Sequence, residues 1–169
     1  MTDETGAADR EAIEEAIQFA KKYLEDLLSF FGLNTDVYAS NSEDEVIELQ
    51  VPSTHLSGFL IGKRGETMHA MQFLTSSALK ANEHTMNRVN VDIADYKAQR
   101  AERLRSKAEE WVSQVRESGE EMALNPMNAA DRRVVHKLAG EHGLTTESEG
   151  VGRDRHIVLK PSESKEKEN

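Results

Sequence analysis

The chain has 169 residues, a formal net charge of −10 and no cysteine. Disulfides and thiolate zinc sites are therefore excluded. No apolar run approaches the roughly 20 residues of a membrane-spanning helix, and the polar, acidic start from Met1 to Asp9 is no secretory signal. A fold held by packing alone fits a reducing, cytoplasmic setting. The length suits one ordinary domain or two very small ones. With aromatic residues at 5%, the core must be mostly aliphatic. The charge is unevenly spread: residues 1–50 carry 13 acidic and 3 basic side chains, a balance of −10, whereas residues 60–105 carry 8 basic and 5 acidic, a balance of +3. Surface charges are screened beyond about 8 Å at physiological salt. A local basic patch can thus bind phosphate on an acidic protein, with modest overall affinity.

Residues 1–9 read as a disordered tail. From Arg10 to Phe31, apolar residues at Ile13, Ala16, Ile17, Ala20, Leu24, Leu27, Leu28 and Phe31 predict a helix with one buried stripe. Asp9 is its expected N-cap and Gly32 its stop. Two strands follow, Thr35 to Ala39 and Glu45 to Val51, with Ile47, Leu49 and Val51 on one face. A short helix from Thr54 to Ile61 is interrupted by Gly62 to Gly65. A second runs from Glu66 to about Asn82, with Met71, Leu74 and Ala78 as its expected stripe and Met68 and Leu79 at the flanks. Val89, Val91 and Ile93 alternate in a strand from Arg88 to Ala94. The order helix, strand, strand, helix, helix, strand makes an α+β unit with helices on one face of the sheet. A long charged helix from Asp95 to about Ser118 reads as a connector with a docked C-terminal half, and Asp95 as its N-cap. Beyond Gly119 come a strand at Glu121 to Leu124, a helix from Asn128 to about Glu141, and strands at Thr145 to Ser148 and His156 to Leu159. Residues 162–169 read as a charged tail.

The most informative stretch is Ile61-Gly62-Lys63-Arg64-Gly65-Glu66. Gly62 can end one helix at positive φ without steric cost. Gly65 opens the next helix, whose N-terminus favours anions. Without a Cβ at either glycine, a sugar-phosphate chain has room against the backbone, and Lys63 and Arg64 add charge there. Such a clamp holds about four nucleotides of a single strand. Residues 10–94 resemble a type II KH domain, whose signature loop matches Gly62, Lys63, Arg64 and Gly65. The resemblance implies a groove lined by apolar side chains that accept bases, with Ile61, Met68, Ile47 and Leu49 as candidates; the plain alternative for each is core.

Arg132 and His136 are four residues apart and share a helix face. Both can donate hydrogen bonds to a phosphate. Residues 121–161 resemble the small R-three-H domain, through Asn125-Pro126-Met127, Arg132-Arg133-Val134-Val135-His136, Thr145 to Gly150 and Arg153 to Pro161. That domain is associated with single-stranded nucleic acid. Arg132, Arg133, His136, Arg153 and Arg155 are its candidate contacts here. A KH domain at 10–94, a connecting helix at 95–120 and an R-three-H domain at 121–161 resemble the bacterial Jag family, also called KhpB. Many of its members carry a further N-terminal domain, and only nine residues precede the first helix here. The resemblance implies a single-stranded RNA partner, a post-transcriptional regulatory or RNA-chaperone role, and a small single-KH (KhpA-like) protein as a second partner.

No Walker loop, His-Glu-x-x-His or nucleophile elbow is present, and the histidines at 55, 69, 84, 136, 142 and 156 form no tight metal spacing. Asp92 and Asp95 form at best a nominal carboxylate pair. No cofactor, metal or enzymatic activity is expected. The alternative function is a protein-interaction adaptor using the acidic first helix.

Overall fold

The computed structural model describes residues 4–42 and 44–162. It divides into two compact units, Met1–Lys97 and Ala98–Asn169. The first is built on helix α1 (Glu4–Phe30), strands β1 (Tyr38–Asn41) and β2 (Ile47–Val51), helices α2 (Ser57–Ile61) and α3 (Glu66–Ala81) and strand β3 (Val89–Ile93). The sheet order is β1-β2-β3. β1 pairs antiparallel with β2, Tyr38 opposite Gln50; β2 pairs parallel with β3, Ile47 opposite Val89. A parallel pair needs a crossover, and α2 with α3 supplies it. The alternation expected for β2 and β3 follows from this packing: Ile47, Leu49, Val51, Val89, Val91 and Ile93 are all buried in one core.

The stripe of α1 that reaches the core is Ala16, Ile17, Ala20, Leu24 and Leu28. Phe31, expected to join it, is 43% exposed, because the helix has ended at Phe30. Gly32 does stop the helix: at φ +77 it lets its own N–H donate to Ser29 O and that of Leu33 to Leu28 O. This paired closure, with Leu33 and Leu28 both buried, is the Schellman arrangement. At the other end two expectations are corrected. Glu4 to Asp9 is helical rather than part of a tail, and Asp9 lies within the helix rather than at its N-cap. The run Ala7-Ala8-Asp9-Arg10-Glu11-Ala12 has high intrinsic helix propensity, which extends the helix past its buried stripe. Residues 1–3 and 163–169 lie outside the described residues.

Three other local expectations shift. β1 starts at Tyr38, not Thr35, because the Val37 N–H donates to Glu25 Oε1 at 2.9 Å instead of joining the ladder. The buried stripe of α3 is Met68, Met71, Thr75 and Leu79, whereas Leu74 is 44% exposed. Apolarity alone put the helix one position out of phase. Thr75 takes the core position because its hydroxyl donates to Met71 O at 2.9 Å. Finally, the start of helix α4 (Tyr96–Ser118) is held by Asp92 rather than Asp95. The buried Asp92 Oδ1 accepts from the N–H groups of Ile93 at 2.9 Å and Lys97 at 3.2 Å. The Lys97 ammonium donates to Asn90 Oδ1, and Asn90 donates to Glu48 Oε2. Burial pushes the Lys97 amine below its ordinary range, against the pull of Asp92 and Glu48.

The second unit contains most of α4, strand β4 (Met122–Ala123), helix α5 (Ala129–Glu141) and strands β5 (Thr145–Glu149) and β6 (His156–Lys160). Its sheet order is β4-β6-β5, antiparallel throughout. The segment read as a connector, residues 95–120, supplies Ala108, Val112 and Val115 to this core at helical spacing, against Leu124, Val135, Leu138, Ala139, Ile157 and Leu159. The α+β class, a KH-type unit followed by a small α/β unit, is the one the element order implied. No helix among the described residues is long and apolar enough to cross a membrane.

The phase of α3 is directly testable. Leu79→Ala should cost about 2–5 kcal/mol, as for fully buried leucines, whereas Leu74→Ala should stay within about 0.5 kcal/mol. Urea titration of the two variants checks this; equal losses would restore the phase expected from apolarity.

Candidate nucleic-acid interface

The first site is the turn between α2 and α3. α2 ends where the Gly62 N–H donates to Gly58 O at 3.0 Å. Gly62 then adopts φ 71, ψ −176, a region essentially confined to glycine. Lys63–Gly65 forms a tight 3-10 turn, with Arg64 at φ 57 and Gly65 at φ 85. Lys63 and Arg64 are both exposed at its tip, Gly65 is buried, and Ile61 is half-buried against the first core. Five of the sequence-derived candidates are therefore contiguous on one reversal.

The positive φ expected at Gly62 is present, but the open space expected beside the two glycines is not. A Cβ on Gly62 would overlap Thr67 Oγ1 and stand 3.0 Å from the Thr67 backbone nitrogen. A Cβ on Gly65 would stand 3.2 Å from the Tyr96 ring and 3.4 Å from that of His69. The space saved by the missing side chains is filled by the protein's own residues, not left open for a sugar-phosphate chain. The amides of Gly65 and Glu66 are also engaged within the turn, donating to Gly62 O and Lys63 O. Attraction for an anion at this tip rests chiefly on the Lys63 and Arg64 side chains. Of the proposed groove lining, Ile47, Leu49 and Met68 are fully buried and cannot meet a base. Ile61 alone of the four keeps exposed surface.

The second site lies on α5. Asn128 caps this helix by accepting the Asp131 N–H at 2.8 Å. Asp131, buried, is held by the Arg100 guanidinium through Oδ1 and Oδ2. The carboxylate nearest the basic run is thereby paired away from it. Arg132 turns back to donate to Met127 O at 2.8 Å. His136 Nδ1 shares a hydrogen bond with Thr146 Oγ1 on β5. Arg132, Arg133, His136, Thr146 and Ser148 line a hollow of about 350 Å³, floored by Ala129 and Ile157. Arg153 and Arg155 do not line it; they are exposed on the turn between β5 and β6. The Arg155 carbonyl accepts the Met127 N–H at 3.1 Å, so the same loop residue touches both Arg132 and Arg155. Thr146 and Ser148 were not among the sequence-derived candidates. Their signal was a two-residue spacing on a strand, which places both on the face turned toward α5. Among the described residues no group of three His, Asp or Glu is arranged to hold a metal.

An αββααβ unit with a basic Gly-x-x-Gly turn, followed by a small unit carrying Arg132 and His136 on one helix face, defines a protein of the KH plus R-three-H class. Residues 17–93 match the family model described as the KhpA/KhpB KH domain, and residues 102–161 match that of the R-three-H domain. The chain is 32% identical to RNA-binding protein KhpB of Bacillus subtilis over 152 residues, 86% of this chain and 70% of that protein. It is 34% identical to RNA-binding protein KhpB of Lactiplantibacillus plantarum over 163 residues, 90% of this chain but 47% of that protein. With the Clostridium symbiosum protein of the same name it shares 28% over 142 residues, 64% of that relative. The chain belongs to the KhpB, or Jag, family. It spans between about half and 70% of the length of these relatives.

The constraint at Gly62 carries a prediction. Gly62→Ala should lower stability by at least about 1–3 kcal/mol, the cost of forcing a side chain into this backbone region. Adding Thr67→Ala should not restore it fully, because the Thr67 backbone still crowds the new Cβ. Gly58→Ala, with nothing within 4 Å of its Cβ, should be neutral or stabilise α2 by up to about 1 kcal/mol. Thermal melts of the three variants decide it.

Proposed function

We propose that this chain is a non-enzymatic protein that binds single-stranded RNA through the Lys63–Arg64 tip, with the α5 hollow as a second contact. The reading makes it a post-transcriptional regulator or RNA chaperone acting in the cytoplasm. The observation that carries it is the pair of exposed cations held at the tip of a reversal between two glycines. Membership in a family whose relatives are named RNA-binding proteins supports the same conclusion.

Phosphate contacts position a strand, and unpaired bases are what such a turn leaves accessible to recognition. Ile61, Gly62, Lys63, Arg64 and Gly65 make up the first contact. In the second, Arg133 is exposed, Arg132 is steadied by Met127 O, and His136 is steadied by Thr146. Arg153 and Arg155 extend this basic surface from the neighbouring turn. A second partner, a small single-KH protein of the KhpA kind, is part of the proposal. Its support is the match of the first unit to a family model covering both proteins.

Replacing Lys63 and Arg64 together by Asp should weaken binding to an unstructured RNA oligonucleotide at least tenfold, with an unchanged melting temperature, since both positions are exposed. Arg132→Ala with Arg133→Ala should leave binding measurable but flatten its salt dependence. The slope of log affinity against log salt should become shallower by about 0.7 for each phosphate of a single strand that the variant no longer neutralises. A perfect hairpin stem should compete poorly. Unchanged affinity in a folded Lys63/Arg64 variant, or preference for the stem, would overturn the reading.

A further inference from the structure

The space beside Gly65 holds two aromatic rings. His69 is on the first turn of α3, four residues after Gly65, and is an exposed residue. Tyr96 opens α4 and is half-buried against the first core. Tyr96 Cε1 lies 3.2 Å, and His69 Cε1 3.4 Å, from the point where a Gly65 Cβ would stand. Both rings thus lie beside the turn whose tip carries Lys63 and Arg64. A side chain at Gly65 would therefore crowd both rings. All three residues belong to the first unit.

We propose that His69, backed by Tyr96, is a stacking surface for one base of the nucleotides whose phosphates the Lys63–Arg64 tip holds. This inference rests on the RNA-binding reading above. Aromatic side chains including His and Tyr accept unstacked bases, and the interaction tolerates any base because every base has a π-face. The apolar groove implied by family resemblance cannot serve this purpose fully, since Ile47, Leu49 and Met68 are buried. An exposed ring touching the turn itself fills the need at the point of closest phosphate approach.

The test uses the full chain and a single-stranded RNA oligonucleotide carrying one 2-aminopurine, moved position by position. Stacking quenches its fluorescence. The wild-type protein should quench the probe at one position along the bound site. His69→Ala should abolish that quenching and weaken binding about five- to hundredfold, the range for one base stacked on an aromatic ring. His69→Phe should restore both. Because His69 is exposed, circular dichroism melts of these variants should match the wild type. Quenching and affinity unchanged in His69→Ala would overturn the inference while leaving RNA binding intact, provided the Lys63/Arg64 double Asp variant still loses affinity. Rescue by His69→Lys but not by His69→Phe would make the residue a phosphate contact and overturn stacking. Failure of the wild-type protein to bind any oligonucleotide would overturn both readings.

Discussion

The first unit depends on one backbone reversal. Gly62, at a φ and ψ that a side chain would make costly, turns the chain from α2 into α3 within three residues. Several features of the unit follow from it. The reversal lets two helices form the crossover between parallel strands β2 and β3. It puts Lys63 and Arg64 at an exposed tip rather than on a helix flank. It also brings Thr67 against Gly62, and the half-buried Tyr96 ring to 3.2 Å from where a Gly65 Cβ would stand. The glycines serve the protein's own packing first, and whatever binds there meets the surface that packing leaves.

The second unit solves a different problem. It must keep several cations close together beside a carboxylate without letting that carboxylate neutralise them. Arg100, at the start of the unit on α4, takes Asp131. Asp131 is nearly buried, and a buried charge is tolerated only when paired and hydrogen-bonded. The pairing ties α4 to the first turn of α5 and leaves Arg132, Arg133 and His136 to face the hollow. Thr146 fixes the imidazole through Nδ1, much as an outer partner fixes a metal-bound histidine. Exposed pairs such as Lys22 with Asp26 contribute little by comparison.

Much of the fold was legible in the sequence because period-2 and period-3.6 patterns report burial directly. Alternation in β2 and β3, the long stripe of α1, the stop at Gly32 and the Asn128 start of α5 all express local rules that tertiary packing did not oppose. Three of the departures occur where a polar group replaces an expected apolar or backbone partner. Thr75 takes a core position that Leu74 was expected to fill, because its hydroxyl is satisfied by Met71 O. Glu25 removes Val37 from the ladder. Asp92, from within a strand, caps a helix that Asp95 was expected to begin. In each case the deciding hydrogen bond depends on where the chain folds, and hydropathy carries no record of it.

For the candidate site, the order of residues was enough to say which side chains carry charge and which turn exposes them: Gly62 to Gly65 is a local signal, and Arg132 and His136 share a face by helix geometry alone. The class of fold was readable in the same way, since element order and periodicity are properties of the chain taken in one dimension. Which neighbours complete the two sites was settled instead by folding. Thr146 reaches His136 across a strand-to-helix contact and Ser148 lines the same hollow, Arg100 removes Asp131 from 31 residues away, and Tyr96 lies beside Gly65 although thirty-one positions separate them in the chain. Those pairings are set by the closing of two hydrophobic cores. Burial is non-directional, so it fixes the distances between remote side chains without leaving a spacing rule in the sequence from which to read them.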